Sequence, residues 1–215
     1  MIVNAVAENV LGTLGTICWT IQLIPQIWKS WRTKDVEGLS GSFVFMWGMA
    51  GVTLGVYNIT QDLNIPLIAQ PELFSFLALV SWGQCQYYGK HQSRTRALLT
   101  TIGVMLIFGG LQAGIVFAIR PVVHRGNNRP VQFFGILSAI LISLALLPQY
   151  WEIFKHKEVI GISITFMIID LLGGVFSVLS LVFKEKFDIL AAISYTMAVV
   201  SAKGQVGLVG HLLTR

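Results

Sequence analysis

Two charged residues sit where charge is expensive, each inside a long apolar run. Asp170 lies in "GISITFMIIDLLGGVFSVL", residues 161–179, and Lys203 lies in "VVSAKGQVGL", residues 199–208. If both runs cross a bilayer, a rise of about 1.5 Å per residue puts Asp170 roughly 12 Å deep and Lys203 roughly 10 Å from the same face. A carboxylate at that depth is unfavourable unless it is paired, hydrated or protonated. Taking up and releasing a single proton is the chemistry such a group can perform. Lys203, the other intramembrane charge in this reading, can pair with Asp170. Alternatively, the two share one solute through its amino and carboxylate ends. Three uncharged polar residues extend the candidate solute site: Gln84 in the third apolar run, and Asn58 and Tyr57 in the second. A shift of 119 places Gln84 and Gln86 on Lys203 and Gln205, which suggests that the third run of each half feeds one centre.

Those residues need elements to carry them, and the composition says which kind. The 215-residue chain is 54% hydrophobic and only 12% charged, with mean hydropathy +0.71. Soluble domains carry about 25% charged residues, so the expectation is a polytopic membrane protein. A span needs about 20 mostly apolar residues. Seven segments meet that length, at 9–28, 42–60, 70–89, 97–119, 132–151, 162–183 and 188–210. The formal charge of +5 resides in short clusters between these runs, the pattern of membrane-surface loops and not of a nucleic-acid footprint. Cys18 and Cys85 lie inside apolar runs with no CxxC or Cys/His cluster, so they read as buried thiols with no metal or disulfide role. The absence of HExxH, GxSxG or suitably paired aspartates argues against an enzyme, and no cofactor is expected. The first run lacks the basic segment of a cleaved signal and is expected to remain a helix.

The chain repeats itself. A shift of 123 superposes "LIPQIWKSWRTKDVEGLSGSF" (23–43) on "LLPQYWEIFKHKEVIGISITF" (146–166) without a gap. Gly12 falls on Gly135, Pro25 on Pro148, Gln26 on Gln149, Trp28 on Trp151, Ser40 on Ser163 and Gly51 on Gly174. Trp47 falls on Asp170, so the duplication supplies one acid and not two. The expected organisation is a first three-helix unit at 1–93, a linking helix at 94–126 and a second three-helix unit at 127–215. Both units then enter the membrane in the same sense, a known transporter plan. Proline removes a backbone donor and crowds the carbonyl four residues back. Pro25–Gln26 and Pro148–Gln149 therefore read as a matched pair of hinges, with Gln able to help satisfy the freed carbonyls of Ile21 and Leu144. Ser40 and Ser163 are placed to cap the helices that follow. Gly51/Gly55 and Gly110/Gly114 suit close helix packing or a homo-oligomer. Lys29, Arg32, Lys34, Lys90, Arg94, Arg96, Lys155, Lys157 and Arg215 fall on one side, against Arg120, Arg125, Arg129, Lys184 and Lys186 on the other. That bias puts the N-terminus outside or in a lumen and the C-terminus in the cytosol.

Paired Pro-Gln motifs, each followed by K-x-x-x-G-x-S, in a three-one-three chain resemble the PQ-loop transporters. That family includes lysosomal cystine and cationic amino acid exporters, and more distantly the SWEET sugar carriers; fungal vacuolar PQ-loop proteins are also similar. The first turn keeps Glu37–Gly38, whereas the second has Ile160 before Gly161. The stretch around Asp170 and Gly173–Gly174 is similar to the second repeat of the lysosomal cystine exporter, which implies that Asp170 takes the coupling proton. The resemblance implies proton-coupled export of a small polar solute, an amino acid, from a vacuole, lysosome or other acidic endomembrane. Two other functions fit the same plan: a sugar uniporter, which would not need Asp170, and a non-transporting receptor like the KDEL receptors.

Overall fold

A computed structural model describes residues 3–37, 39–145, 147, 164–197, 199 and 200. Among them there are seven helices and no strand. They are α1 (Ala5–Thr33), α2 (Gly41–Thr60), α3 (Ile65–Gln84), α4 (Arg94–His124), α5 (Arg129–Ala145), α6 (Ile164–Val182) and α7 (residues 189–197). A π-turn, Cys85–Gly89, extends α3, with the Lys90 amide reaching back to the Cys85 carbonyl. Four helices, Ala5–Thr33, Gly41–Thr60, Ile65–Gly89 and Arg94–His124, are long and apolar enough to cross a bilayer. Shorter apolar helices occupy Arg129–Ala145 and Ile168–Val182.

Local chemistry sets the helix starts. The Asn4 side chain accepts from the amides of Val6 and Ala7, Ser40 from Phe43, Asn64 from Leu67, Ser93 from Arg96 and Asp188 from Ala191. Each cap satisfies donors that a helix leaves orphaned. Ser40 thus caps α2 as the sequence suggests, while Ser163 lies outside the described residues. At the other end of α1, Lys34 takes the left-handed conformation (φ 59°) that turns the chain towards α2. Pro25 does not break α1, which continues from Ala5 to Thr33 around it.

Helix α2 is the most enclosed span, and α4 is nearly all exposed apolar surface. A helix greasy on every face and covered by little protein is matched to lipid. On α4, Gly110 and Gly114 have no neighbouring atom near a would-be Cβ, whereas Gly51 of α2 lies against Pro71 and Ser75 of α3. Helix α1 packs on α3 and α6; α2 packs on α3 and α5; α4 touches α2, α3 and α5. The shift of 123 carries α1 to α5 and α2 to α6, so it exchanges the α1–α6 and α2–α5 interfaces.

Finer contacts repeat the pattern. A Cβ on Gly51 would meet the Pro71 carbonyl and Ser75, and one on Gly174 would meet the Tyr195 carbonyl and Val199. Tyr57 of α2 donates to Asp188, the cap of α7; Ser180 of α6 accepts from Asn64, the cap of α3. These pairs map Tyr57 on Ser180 with an offset of 123, and Asn64 on Asp188 with an offset of 124. The third helices therefore align at 124, not at 119: one residue is gained in the turn after the second helix. On this register Gln84 and Lys203 are not equivalent positions.

Candidate functional site

The central cavity includes two pairs of positions that the repeat relates. Trp47 and Asp170, one offset of 123 apart, both line it, and so do Trp19 and Ile142, related by the same offset. Pro71 and Phe74 of α3 complete the wall. The cavity encloses about 30 Å³. A single water needs roughly 10–15 Å³ on this measure, so the space suits a water or two and not a solute.

Asp170 is buried on α6. The Gln22 amide nitrogen donates to its Oδ1 at 3.1 Å, and the Trp19 indole N–H donates to its backbone carbonyl at 3.1 Å. The second amide atom, Gln22 Oε1, is buried with no hydrogen-bond partner among the described residues. An amide has both a donor and an acceptor end. By turning over, Gln22 can donate to a carboxylate or accept from a carboxylic acid, so either protonation state of Asp170 can be held in place. Helices α1 and α6 come close enough for this because Gly15 and Gly173 sit at their crossing. A Cβ on Gly15 would lie 3.1 Å from the Gly173 carbonyl, and the Trp19 indole lies directly over Gly173.

One face of the bundle, bearing the α2–α3 and α6–α7 turns, holds a wide vestibule of about 550 Å³ lined by Asp62, Gln132, Lys184, Lys186 and Asp188. Tyr57 lines its floor, and Leu54, one turn earlier on α2, lines the closed cavity. The Tyr57 ring lies over Gly135 of α5 while its hydroxyl donates to Asp188. Next to it Asn58 donates to the Leu67 carbonyl (2.6 Å) and to the Tyr195 hydroxyl (3.0 Å). Tyr57 and Asn58 thus tie α2 to Asp188 and Tyr195, next to the vestibule. Among the described residues no group of three His, Cys, Asp or Glu forms a metal site.

The pattern described as "PQ loop repeat" matches twice, over residues 7–67 and 130–190, more than half of the chain and at the same offset of 123. The chain belongs to the PQ-loop repeat family. Uncharacterized protein C2E12.03c of Schizosaccharomyces pombe is 44% identical over 94% of this chain and 71% of its own length. Bovine cystinosin is 28% identical over 82% of this chain, which spans only 53% of that relative. The vacuolar histidine transporter YPQ3 of Saccharomyces cerevisiae is 28% identical over 40% of this chain and 30% of its own length.

Within this PQ-loop chain the residues picked out from sequence divide. Asp170 borders the central cavity. Tyr57 and Asn58, bonded to Asp188 and Tyr195, are absent from its wall. Gln84 lies further off, where its amide donates to the Ile27 carbonyl of α1 at 2.9 Å. Gln26 bonds Ser30 at 3.3 Å and leaves the carbonyl of Ile21 to others. Pro148, Gln149 and Lys203 lie outside the described residues.

Sequence reasoning missed Gln22, although a glutamine four residues before Gln26 in an apolar run is itself a signal. It also missed Glu72, so Lys203 is not the one other charge inside a span. Glu72, in α3, accepts from Gln112 of α4 beside Gly55, away from the central cavity.

Proposed function

We propose that this PQ-loop protein is a secondary transporter that couples a small polar solute of the amino-acid class to protons by alternating access. Residues 1–93 and 127–215 form the two moving units, and 94–126 the link between them. The observation that carries the reading is a buried acid at the α1–α6 contact, lining one cavity with its repeat-related Trp47 and held by an amide that can serve either protonation state. The vestibule is then lumenal, the N-terminus lumenal, the C-terminus cytosolic, and the membrane that of an acidic organelle. Tyr57–Asp188 is the lumenal closure, and Pro25–Gln26 with Pro148–Gln149 are the hinges on which the halves rock. For an amino acid, the sense of transport that the family resemblance favours is export together with the proton. The test is a solute screen in vesicles containing the purified protein under an imposed pH gradient. Gradient-dependent flux of at least one solute is expected; binding without flux for every solute would make the protein a receptor.

The closure makes its own prediction. A hydrogen bond to a charged group contributes about 1.5–3 kcal/mol, so Tyr57→Phe should raise the share of molecules open to the lumen by roughly ten- to a hundred-fold. The reporter is a cysteine at Ala50 on the cavity wall, in a background lacking Cys18 and Cys85. A membrane-impermeant maleimide added on the vestibule side should label it faster in the Tyr57→Phe protein. An unchanged rate would remove Tyr57 from the closure.

A further inference from the structure

The central cavity has a wall chemistry that names its ligand. Trp19, Trp47 and Phe74 surround it, with ring centroids 5.8 Å apart for Trp19–Phe74 and 5.1 Å for Trp47–Phe74. Its charged lining residue is Asp170, whose Oδ1 is held by Gln22, while no described residue donates to Oδ2. Among the described residues no Lys, Arg or His reaches the wall. We propose that this site takes organic cations, quaternary ammonium compounds included, and that it does not require an α-carboxylate on its ligand. The inference rests on the carrier part of the reading above, puts an organic cation in place of the amino acid as cargo, and reverses the sense of coupling.

Aromatic faces are negative and attract a cation that has shed water, most of all when the site is desolvated; quaternary ammonium groups are the ligands for which such walls are best suited. A buried carboxylate adds a charge of the right sign. A sugar needs many hydrogen-bonding groups, and this wall offers it aromatic and aliphatic surface with one acid. An anionic solute would be repelled by Asp170. A zwitterion would bring a carboxylate that finds no cationic partner on the described wall. The aromatic rings come from residues 19–74 and the acid from residue 170, so the ligand would bridge the two repeats and need them apart to fit a space of about 30 Å³.

One carboxylate cannot both hold a proton and pair with a cation. A proton arriving at Asp170 therefore expels the cation, and a cation can bind once the proton has left. The two cross the membrane in opposite directions, one for one, so an organic cation accumulates on the acidic side, contrary to the export with protons expected for an amino acid.

The experiment uses the full chain, with choline as the probe and 3,3-dimethylbutan-1-ol as its neutral isostere. In detergent, choline should change the tryptophan fluorescence saturably and the isostere should not. In vesicles, labelled choline should accumulate when the interior is acid. Trp47→Leu and Phe74→Leu should each raise its half-saturating concentration by roughly ten-fold, with Trp47→Phe close to wild type. Equal binding of the isostere, preference for glutamine over choline, or choline leaving the acid side together with protons would each overturn the proposal. Flux of amino acids without choline binding would sink this inference and spare the carrier reading. Choline binding with no flux of any solute would keep the cation site and overturn both the carrier reading and the exchange with protons.

Discussion

Asp170→Asn is expected to yield a folded protein whose pH-driven flux falls to the level of protein-free vesicles. Asparagine has the shape of aspartate and retains an oxygen that can accept from Gln22 at the 3.1 Å contact. The Trp19 indole bonds the backbone carbonyl of this residue and would not register the change. Unfolding should therefore begin within a few degrees of the wild-type temperature in detergent, since about 1 kcal/mol moves the midpoint by roughly 2–4 °C in a chain of this size. What asparagine lacks is the ability to take and release a proton. Undiminished gradient-driven flux in the folded variant would discard Asp170 as the coupling group. The next carboxyl to examine would be Glu72, paired with Gln112 at the α4 edge.

How much of this site could be read from residues alone follows from what a membrane helix reveals. Span positions, the duplication and the Ser40 cap depend on hydropathy, identity and local chemistry, all of which are written in sequence. The offset of 123 also put Trp47 opposite Asp170, and both do line one cavity. Which face of a span looks inward is written far more faintly. Helices α2, α3 and α4 are apolar over most of their length with few polar positions, so periodicity does not separate lipid from protein. Tyr57, Asn58 and Gln84, candidates by residue type, do not line the cavity that Asp170 borders, and Gln84 donates to the Ile27 carbonyl. The offset of 119 differs from the structure for a simpler reason: identities in the third helices are few, while the contacts of Gly51 and Gly174 fix the offset at 124.

The same glycine logic gives the largest expected loss of stability. Gly173 of α6 lies beneath the Trp19 indole, and an added Cβ would overlap the ring at its Cδ1 and Nε1 atoms. The indole has little freedom to retreat, because it also packs on Phe74 and Tyr195 at 5.8 Å each and donates to the Asp170 carbonyl. Overfilling a packed interior costs about 1–3 kcal/mol, so Gly173→Ala should lower the unfolding midpoint by several degrees, and Gly173→Leu should leave little folded protein. Transport should fall further than stability in Gly173→Ala, since moving Trp19 disturbs both the cavity wall and Asp170. Gly109→Ala and Gly110→Ala on α4 are the internal comparison: nothing lies within 4 Å of either added carbon. Replacing glycine by alanine in an unobstructed helix is worth about 0.5–1 kcal/mol in favour of the helix. The same chemical change should thus destabilise at the α1–α6 crossing and stabilise on the exposed helix α4. If both sets of variants melt alike, the α1–α6 crossing is not the tight contact that holds Trp19 over Asp170.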